Sequence, residues 1–313
     1  MLPKRLAILT YHRVLPEPDA ARPGVPDATE FDWHLRTVRR WFNVLPLAEA
    51  VERLKTGSLP PRALCITFDD GYADNHDVAM PALQSHGLSA TFFVASGYLD
   101  GSAMWNDDVI DCVAGARGAE LDLEFADLGT VPISAPGQRQ AAVMLVINAW
   151  KRLPGSERAE RVAQLRERFP LRRSQRLMMQ PEQVAGLKRG GMEVGAHTVS
   201  HPILTRQPIA RAREEIAGSR AALEEITGAP VTGFAYPNGR PGKDYAAEHV
   251  SAVREAGFSY AVSTAWGTAR AGVDQYQLPR IAPWDATPAR FTARILRALY
   301  LQSEGVSVPS PAC

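Results

Sequence analysis

Residues 63–72 read Ala63-Leu64-Cys65-Ile66-Thr67-Phe68-Asp69-Asp70-Gly71-Tyr72. Six apolar or β-branched residues in a row predict a strand buried on both faces, as the strands of parallel sheets are. That strand runs into two adjacent carboxylates. Neighbouring side chains of an extended strand point to opposite sides, so both acids serve one place only if the chain turns, and Gly71 permits the turn. In α/β barrels the C-terminal ends of the strands carry the chemistry. The same residues also fit a structural role, with Asp69 or Asp70 capping a helix from Tyr72 to His86.

Similar short runs recur at residues 6–10, 90–94, 192–196, 232–236 and 260–263. Between them lie helical periods: Phe31, Leu35, Val38 and Phe42, then Ile209, Ala212, Ile216, Leu223 and Ile226, the last closed by Gly228. This alternation predicts an α/β fold with a parallel barrel. The rhythm breaks over residues 101–179, where helix-like pieces at 138–153 and 157–169 replace strands and a Gly-, Pro- and Ser-bearing loop at 128–137 offers a substrate wall. The expected organisation is one barrel domain, 1–302, carrying a helical insertion, 101–179, and followed by a flexible tail, 303–313, with Pro309 and Pro311.

With 313 residues, 45% of them hydrophobic and 22% charged, the chain has the make-up of a soluble globular protein with a large core. Its 35 lysines and arginines nearly cancel 34 aspartates and glutamates, leaving no global field to draw the chain onto nucleic acid or anionic lipid. Three cysteines are too few and odd in number for a disulfide framework, which points to a reducing compartment. The apolar run Leu6 to Leu9 is too short for a signal-peptide core, and no span approaches the roughly 20 apolar residues of a membrane helix. The chain as it stands reads as cytoplasmic, with export by another route left open. Oligomeric state leaves no mark in the sequence.

His197-Thr198-Val199-Ser200-His201 follows another short strand. Its i,i+4 spacing brings both imidazoles to one point if the segment makes a helical turn. An isolated pair of this kind reads equally as hydrogen-bonded surface histidines. Beside Asp69 and Asp70, two histidines and one carboxylate form the closed side of a catalytic metal site, with positions left for water and substrate.

Thr67-Phe68-Asp69-Asp70-Gly71, followed at a distance by His197-Thr198-Val199-Ser200-His201, resembles the first two motifs of the polysaccharide deacetylase family, the NodB-like carbohydrate esterase family 4. Phe234-Ala235-Tyr236-Pro237-Asn238-Gly239 is similar to its third motif, and Leu278-Pro279-Arg280-Ile281 agrees near the end. Setting the insertion aside, the likeness spans residues 6–285. It implies a deformed (β/α) barrel in which Asp69 is the catalytic base while Asp70, His197 and His201 hold one divalent ion. Zinc comes first for nitrogen and carboxylate donors, with cobalt, nickel and iron also compatible. Such an ion lowers the pKa of a bound water from about 15.7 toward about 7, and a carboxylate left off the metal can take the proton.

The resemblance also assigns an oxyanion-stabilising backbone N–H near Asn238, with Tyr236 beside it at the substrate. Ala235 stands where many members carry an arginine that orients the base. Arg280 is the candidate for that vacant role, a surface salt bridge being the alternative. The family's late leucine and histidine motif, which supplies a general acid, is not visible. Thr10-Tyr11-His12-Arg13-Val14 instead resembles the exopolysaccharide-type subgroup, which makes His12 the general acid. Trp105 and Trp266 are candidates for stacking on sugar rings, core packing being the alternative, and Cys65 reads as a small buried hydrophobe.

The implied activity is hydrolysis of N-acetyl groups from amino sugars of a polysaccharide or its lipid-linked precursor, releasing acetate. The partner is an N-acetylated glycan. A deformylase or small-molecule amidase of the same fold is a second reading, since the metal triad fixes neither acyl group nor amine. An inactive carbohydrate-binding module is a third. It would require a lost base, whereas Asp69 is present.

Overall fold

Period-two alternation along the strands builds two layers of core at once. A computed structural model of the chain describes residues 4–171 and 176–301. Its central strands are β1 (Arg5–Tyr11), β2 (Ala63–Phe68), β3 (Thr91–Val94), β4 (Glu193–Ala196), β5 (Gly233–Ala235), β6 (Tyr260–Trp266) and β7 (Leu278–Arg280). Each pairs with the next in parallel. The ring closes just past β7, where the Ile281 N–H donates to the Ile8 carbonyl at 2.8 Å and its carbonyl accepts from Thr10 N–H at 3.0 Å. Two short strands are added to this sheet outside the ring: Asn43–Val44 runs parallel to the start of β2, and Ala269–Arg270 antiparallel to the start of β1. The result is the deformed (β/α) barrel expected from the sequence, with seven parallel strands opening toward one mouth.

Leu6 and Ile8 of β1, Ala63 and Cys65 of β2, Phe93 of β3, Tyr260 and Val262 of β6 and Leu278 of β7 form one cluster. Their alternates, among them Ala7, Leu9, Leu64, Ile66, Phe68, Phe92 and Val94, join the helices. Packing inside is tight enough that a Cβ on Gly195 of β4 would sit 2.4 Å from Phe93 Cδ1. The helices of this unit are α1 (Ala28–Trp41), α2 (Leu47–Lys55), α3 (Met80–Ser85), α7 (Pro181–Arg189), α8 (Ile209–Thr227), α9 (Ala247–Glu255) and α10 (Pro288–Leu301). Gly228, at φ 64°, ends α8 in the left-handed conformation that glycine adopts without strain. At the start of β4, Glu193 accepts the Leu47 N–H at 2.9 Å and the Thr91 hydroxyl at 2.6 Å, placing an anion at the N-terminus of α2. Among the described residues, no helix is long and apolar enough to cross a membrane.

The described chain divides into two compact units. The second holds residues 18–25 and 101–177, with helices α4 (Trp105–Gly115), α5 (Pro136–Trp150) and α6 (Gly155–Arg168) around a core that includes Val109, Cys112, Leu121, Val146, Trp150 and Leu165. Residues 128–137, expected as a loop, include one short paired segment and the start of a helix. Thr130–Pro132 forms an antiparallel hairpin with Glu120–Asp122, because Leu121 is buried opposite Val131, and Pro136 opens α5. The tail expected at 303–313 lies outside the described residues.

Candidate active site

Asp69 continues the inward phase of Ala63, Cys65 and Thr67, so its carboxylate enters the mouth of the barrel at the C-terminal end of β2. The two carboxylate oxygens meet Arg280, the last residue of β7, in a two-pronged contact: Nη1 to Oδ1 at 2.8 Å and Nη2 to Oδ2 at 2.6 Å. Arg280 is itself 2% exposed. Its Nε donates to the Ser263 carbonyl at 2.9 Å and Nη1 to Thr67 Oγ1 at 3.2 Å, which fixes the fork in the plane of the carboxylate. Burial alone raises the Asp69 carboxyl, but the Arg280 charge beside it wins and holds the group below the usual carboxylate range. An ionised Asp69 is an acceptor only, able to take a proton. The helix expected from Tyr72 is present, beginning at Ala73 and running on through Asn75–Ala79 and Met80–Ser85, but the side chains of Asp69 and Asp70 are engaged at the mouth instead.

Asp70 takes φ 78°, which turns its side chain away from that of Asp69. Its Oδ1 lies 3.4 Å from His197 Nε2 and 3.4 Å from His201 Nε2. One ligand atom from each of the three residues lies within 4.8 Å of the others. His197 Nδ1 is 2.7 Å from the Ala235 carbonyl, which can only accept, so Nδ1 carries a hydrogen and Nε2 is the atom turned to Asp70; burial would lower this imidazole, but Asp70 and Asp69 beside it hold it above its ordinary value. His201, although about a fifth of its side chain meets solvent, is pushed down to about 4 by burial and stands neutral. Burial would raise the Asp70 carboxyl, yet the neighbouring histidines hold it below the carboxylate range. Asp70 Oδ1 is nevertheless buried without a hydrogen-bond partner. Two imidazole Nε2 atoms converging on a carboxylate oxygen that lacks a close hydrogen-bond partner form the donor set of a divalent cation site, so the residues present fit a metal.

The segment between the two histidines is not the helical turn that the spacing suggested. Thr198 at φ 63° and His201 at φ 53° both occupy the left-handed region, which costs a non-glycine residue free energy and persists only where the surroundings hold it. Glu215 of α8, buried at 2% exposure, supplies the hold. Its Oε2 accepts the N–H groups of Val199 at 2.9 Å and Ser200 at 2.7 Å, and its Oε1 accepts the Ser200 hydroxyl at 2.8 Å. Thr198 Oγ1 accepts the His201 N–H at 3.1 Å. Glu215 escaped the sequence reading although a signal existed. It falls in the buried phase of α8, between Ala212 and Ile216, where a solvated glutamate would not stand.

His12 follows β1 and its side chain is exposed. It is an electrostatic neighbour of Asp69, Asp70 and His201, which places it near the same mouth. The backbone beneath it is clamped. Asn75 Nδ2 donates to the His12 carbonyl at 2.8 Å, while Asp74 accepts from Arg13 Nε at 2.8 Å and Val14 N–H at 3.2 Å. Asp74 and Asn75 were likewise missed; they stand just past the Asp-Asp-Gly turn and read there as ordinary turn residues.

Asn238 is exposed at φ 59°, in a turn held by Thr264 Oγ1 donating to the Asn238 carbonyl at 2.6 Å. Tyr236 corrects the expectation of a substrate contact. Its ring stacks on Tyr245 at 3.8 Å and its hydroxyl donates to the Tyr276 carbonyl at 3.0 Å, so the side chain belongs to the core and only its backbone borders the turn. Trp266 ends β6 in register with Arg280 and is 39% exposed. Trp105 lies in the second unit at the start of α4, its ring beneath the Arg158 guanidinium at 5.2 Å.

A family model for polysaccharide deacetylase matches residues 56–122 and 141–261. The putative polysaccharide deacetylase YxkH of Bacillus subtilis is 33% identical over 94 residues, which is 29% of this chain and 32% of that protein, so the chain spans about a third of the curated relative's length. Among solved structures, the Streptococcus pyogenes deacetylase PplD in complex with acetate superposes with a TM-score of 0.64 at 19% identity, covering 94% of this chain and 99% of that one. IcaB from Ammonifex degensii gives 0.61 at 20% identity, covering 95% and 98%. The BpsB deacetylase domain from Bordetella bronchiseptica gives 0.55 at 16%, covering 89% and 95%. At these identities the likeness is one of fold.

Proposed function

Because the chain belongs to the polysaccharide deacetylase family, we propose that it hydrolyses N-acetyl groups from amino sugars of a glycan, an exopolysaccharide or its lipid-linked precursor, and releases acetate. The observation that carries this reading is the convergence of Asp70, His197 and His201 beside an Asp69 pinned by Arg280. The three converging residues would hold one divalent ion, zinc first among the compatible metals. When bound, such an ion acidifies water and polarises the amide carbonyl.

The chain's own residues divide the remaining work. Asp69, kept ionised and oriented by Arg280, takes a proton from the attacking water at a carboxylate oxygen. Addition of that water to the acetyl carbon places negative charge on the former carbonyl oxygen, which the backbone N–H of Asn238 stabilises. His12 delivers a proton to the sugar nitrogen as the C–N bond breaks, so that the amine leaves neutral and acetate remains. Trp266, exposed at the rim beside Arg280, offers a face for a sugar ring. Trp105 is retained as a second stacking candidate, and residues 101–179, which contain it, are assigned to substrate choice because they carry none of the metal-binding, base or acid residues. Acetate bound to the PplD deacetylase matches the product expected here.

The test is acetate release across a panel of N-acetylated oligosaccharides, with formate release from N-formyl analogues run alongside. Metal-dependent acetate release from at least one glycan is the expected result. Formate release alone, or no release from any member by the metal-loaded protein, contradicts the proposal.

A further inference from the structure

We propose that the face made by the last turns of α1 and by α10 docks on the surface of an anionic phospholipid bilayer. A groove of about 600 Å³ separates the two helices, lined by Trp33, Arg36, Arg40, Trp41, Ala293 and Leu296. Trp41 is 43% exposed, and Tyr300, one helical turn beyond Leu296 on the same side, is 36% exposed. The opposite side of α10, with Phe291, Ile295, Ala298 and Leu299, is buried, so this orientation is fixed by the core.

The charge on the face is mostly positive. Residues 36–41 carry Arg36, Arg39 and Arg40, α10 carries Arg290, Arg294 and Arg297, and neither stretch contains an acid. Arg36 is paired with Asp32 and Arg294 with Asp285. Arg39, Arg40, Arg290 and Arg297 enter no ion pair among the described residues. The net charge of +1 gives no overall pull toward a polyanion, so the attraction is local.

That charge selects the partner. A second copy presenting the same arginines would be repelled, whereas a layer of anionic headgroups is complementary. Tryptophan and tyrosine favour the headgroup level, where an amphipathic ring has one wet and one apolar side, and arginines above an apolar groove let a helix lie in that layer. Arg40 already spans the two chemistries, with its guanidinium 5.3 Å from the Trp41 ring.

The experiment is co-sedimentation of the full chain with vesicles of phosphatidylcholine alone and of phosphatidylcholine mixed with phosphatidylglycerol. Binding to the mixed vesicles only, weakening as salt rises, is expected. Arg40→Glu combined with Arg297→Glu should lower the partition coefficient at least about tenfold. Trp41→Ala should weaken binding while leaving its salt dependence unchanged. Lys188→Glu with Arg189→Glu, the same charge change on the exposed side of α7, should bind as the unaltered protein does. Thermal melting checks that each variant is folded. The proposal is overturned by equal binding to both vesicle types, by equal losses in the two charge-reversed variants, or by retention on an immobilised acidic polysaccharide without vesicle binding.

Discussion

Asp69 and Arg280 meet through two hydrogen bonds, 2.8 and 2.6 Å, across 211 positions of sequence. Parallel strands bring their ends to one mouth, and the pairing is possible because β2 and β7 both flank β1. Arg280→Lys keeps the charge but loses the planar fork. We expect this variant to retain its metal and lose at least about tenfold in kcat, together with some stability, because Asp69 is left incompletely paired in a buried place. Metal content, steady-state kinetics and a denaturant titration check it. Wild-type kcat in Arg280→Lys would remove Arg280 from the orienting role.

Glu215 should matter to the metal without touching it. Replacing its carboxylate leaves the N–H groups of Val199 and Ser200 and the Ser200 hydroxyl short of their acceptor, and the loop bearing His197 and His201 is freed from its left-handed kinks. Loss of such supporting partners typically costs about 10- to 100-fold in metal affinity. Competition with a chromophoric chelator should show that loss for Glu215→Ala and a smaller one for Glu215→Gln, whose amide oxygen can still accept. Unchanged affinity in both variants contradicts the assignment.

His34, away from the mouth, sets a pH dependence of stability. Burial against Phe291 and Tyr11 pushes the imidazole down to about 4 from its ordinary 6.5. The folded protein therefore binds fewer protons than the unfolded chain between those values, and stability rises with pH across that interval. It is complete above about pH 6.5 and falls as the pH drops toward 4, by ~3 kcal/mol from this residue. Denaturant titrations from pH 4 to 7 should show the slope, flattened in His34→Gln. An unaltered slope in that variant would assign the dependence to other groups.

How much of this was legible in the sequence varied with the physics. The strand at 63–68 was readable to the residue because both of its faces are buried, so every position is apolar or β-branched. Helix α8 was readable from its period and from the glycine that stops it. The turn holding His197 and His201 was not. Left-handed conformations at Thr198 and His201 are held by Glu215 from another element, whereas only the i,i+4 spacing of the histidines had suggested a helical turn there. Tyr236 misled for a related reason. The motif around it borders the mouth, but the strand points its ring into the core, onto Tyr245.

His12 and Asp69 should separate on a change of leaving group. An alkylamine is too basic to depart without a proton, a service that typically contributes about 10²- to 10⁴-fold, whereas an activated aryl ester leaves as a stable phenolate. We expect His12→Gln to be much slower on an N-acetyl sugar and nearly unchanged on the ester, and Asp69→Asn to fail on both. The ratio of kcat/KM values for the two substrates, taken on folded and metal-loaded variants, measures the division. Equal losses on both substrates for His12→Gln would give that residue a structural role.

The central claim is that Asp70, His197 and His201 together hold one divalent ion, and its most direct test is metal analysis of the purified protein after saturation with zinc and removal of excess. One equivalent is expected in the unaltered chain and in Asp69→Asn, with the ion lost from Asp70→Ala, His197→Ala and His201→Ala, since three protein ligands are the usual complement of a catalytic zinc site. A folded His201→Ala protein that stays fully loaded would contradict the account.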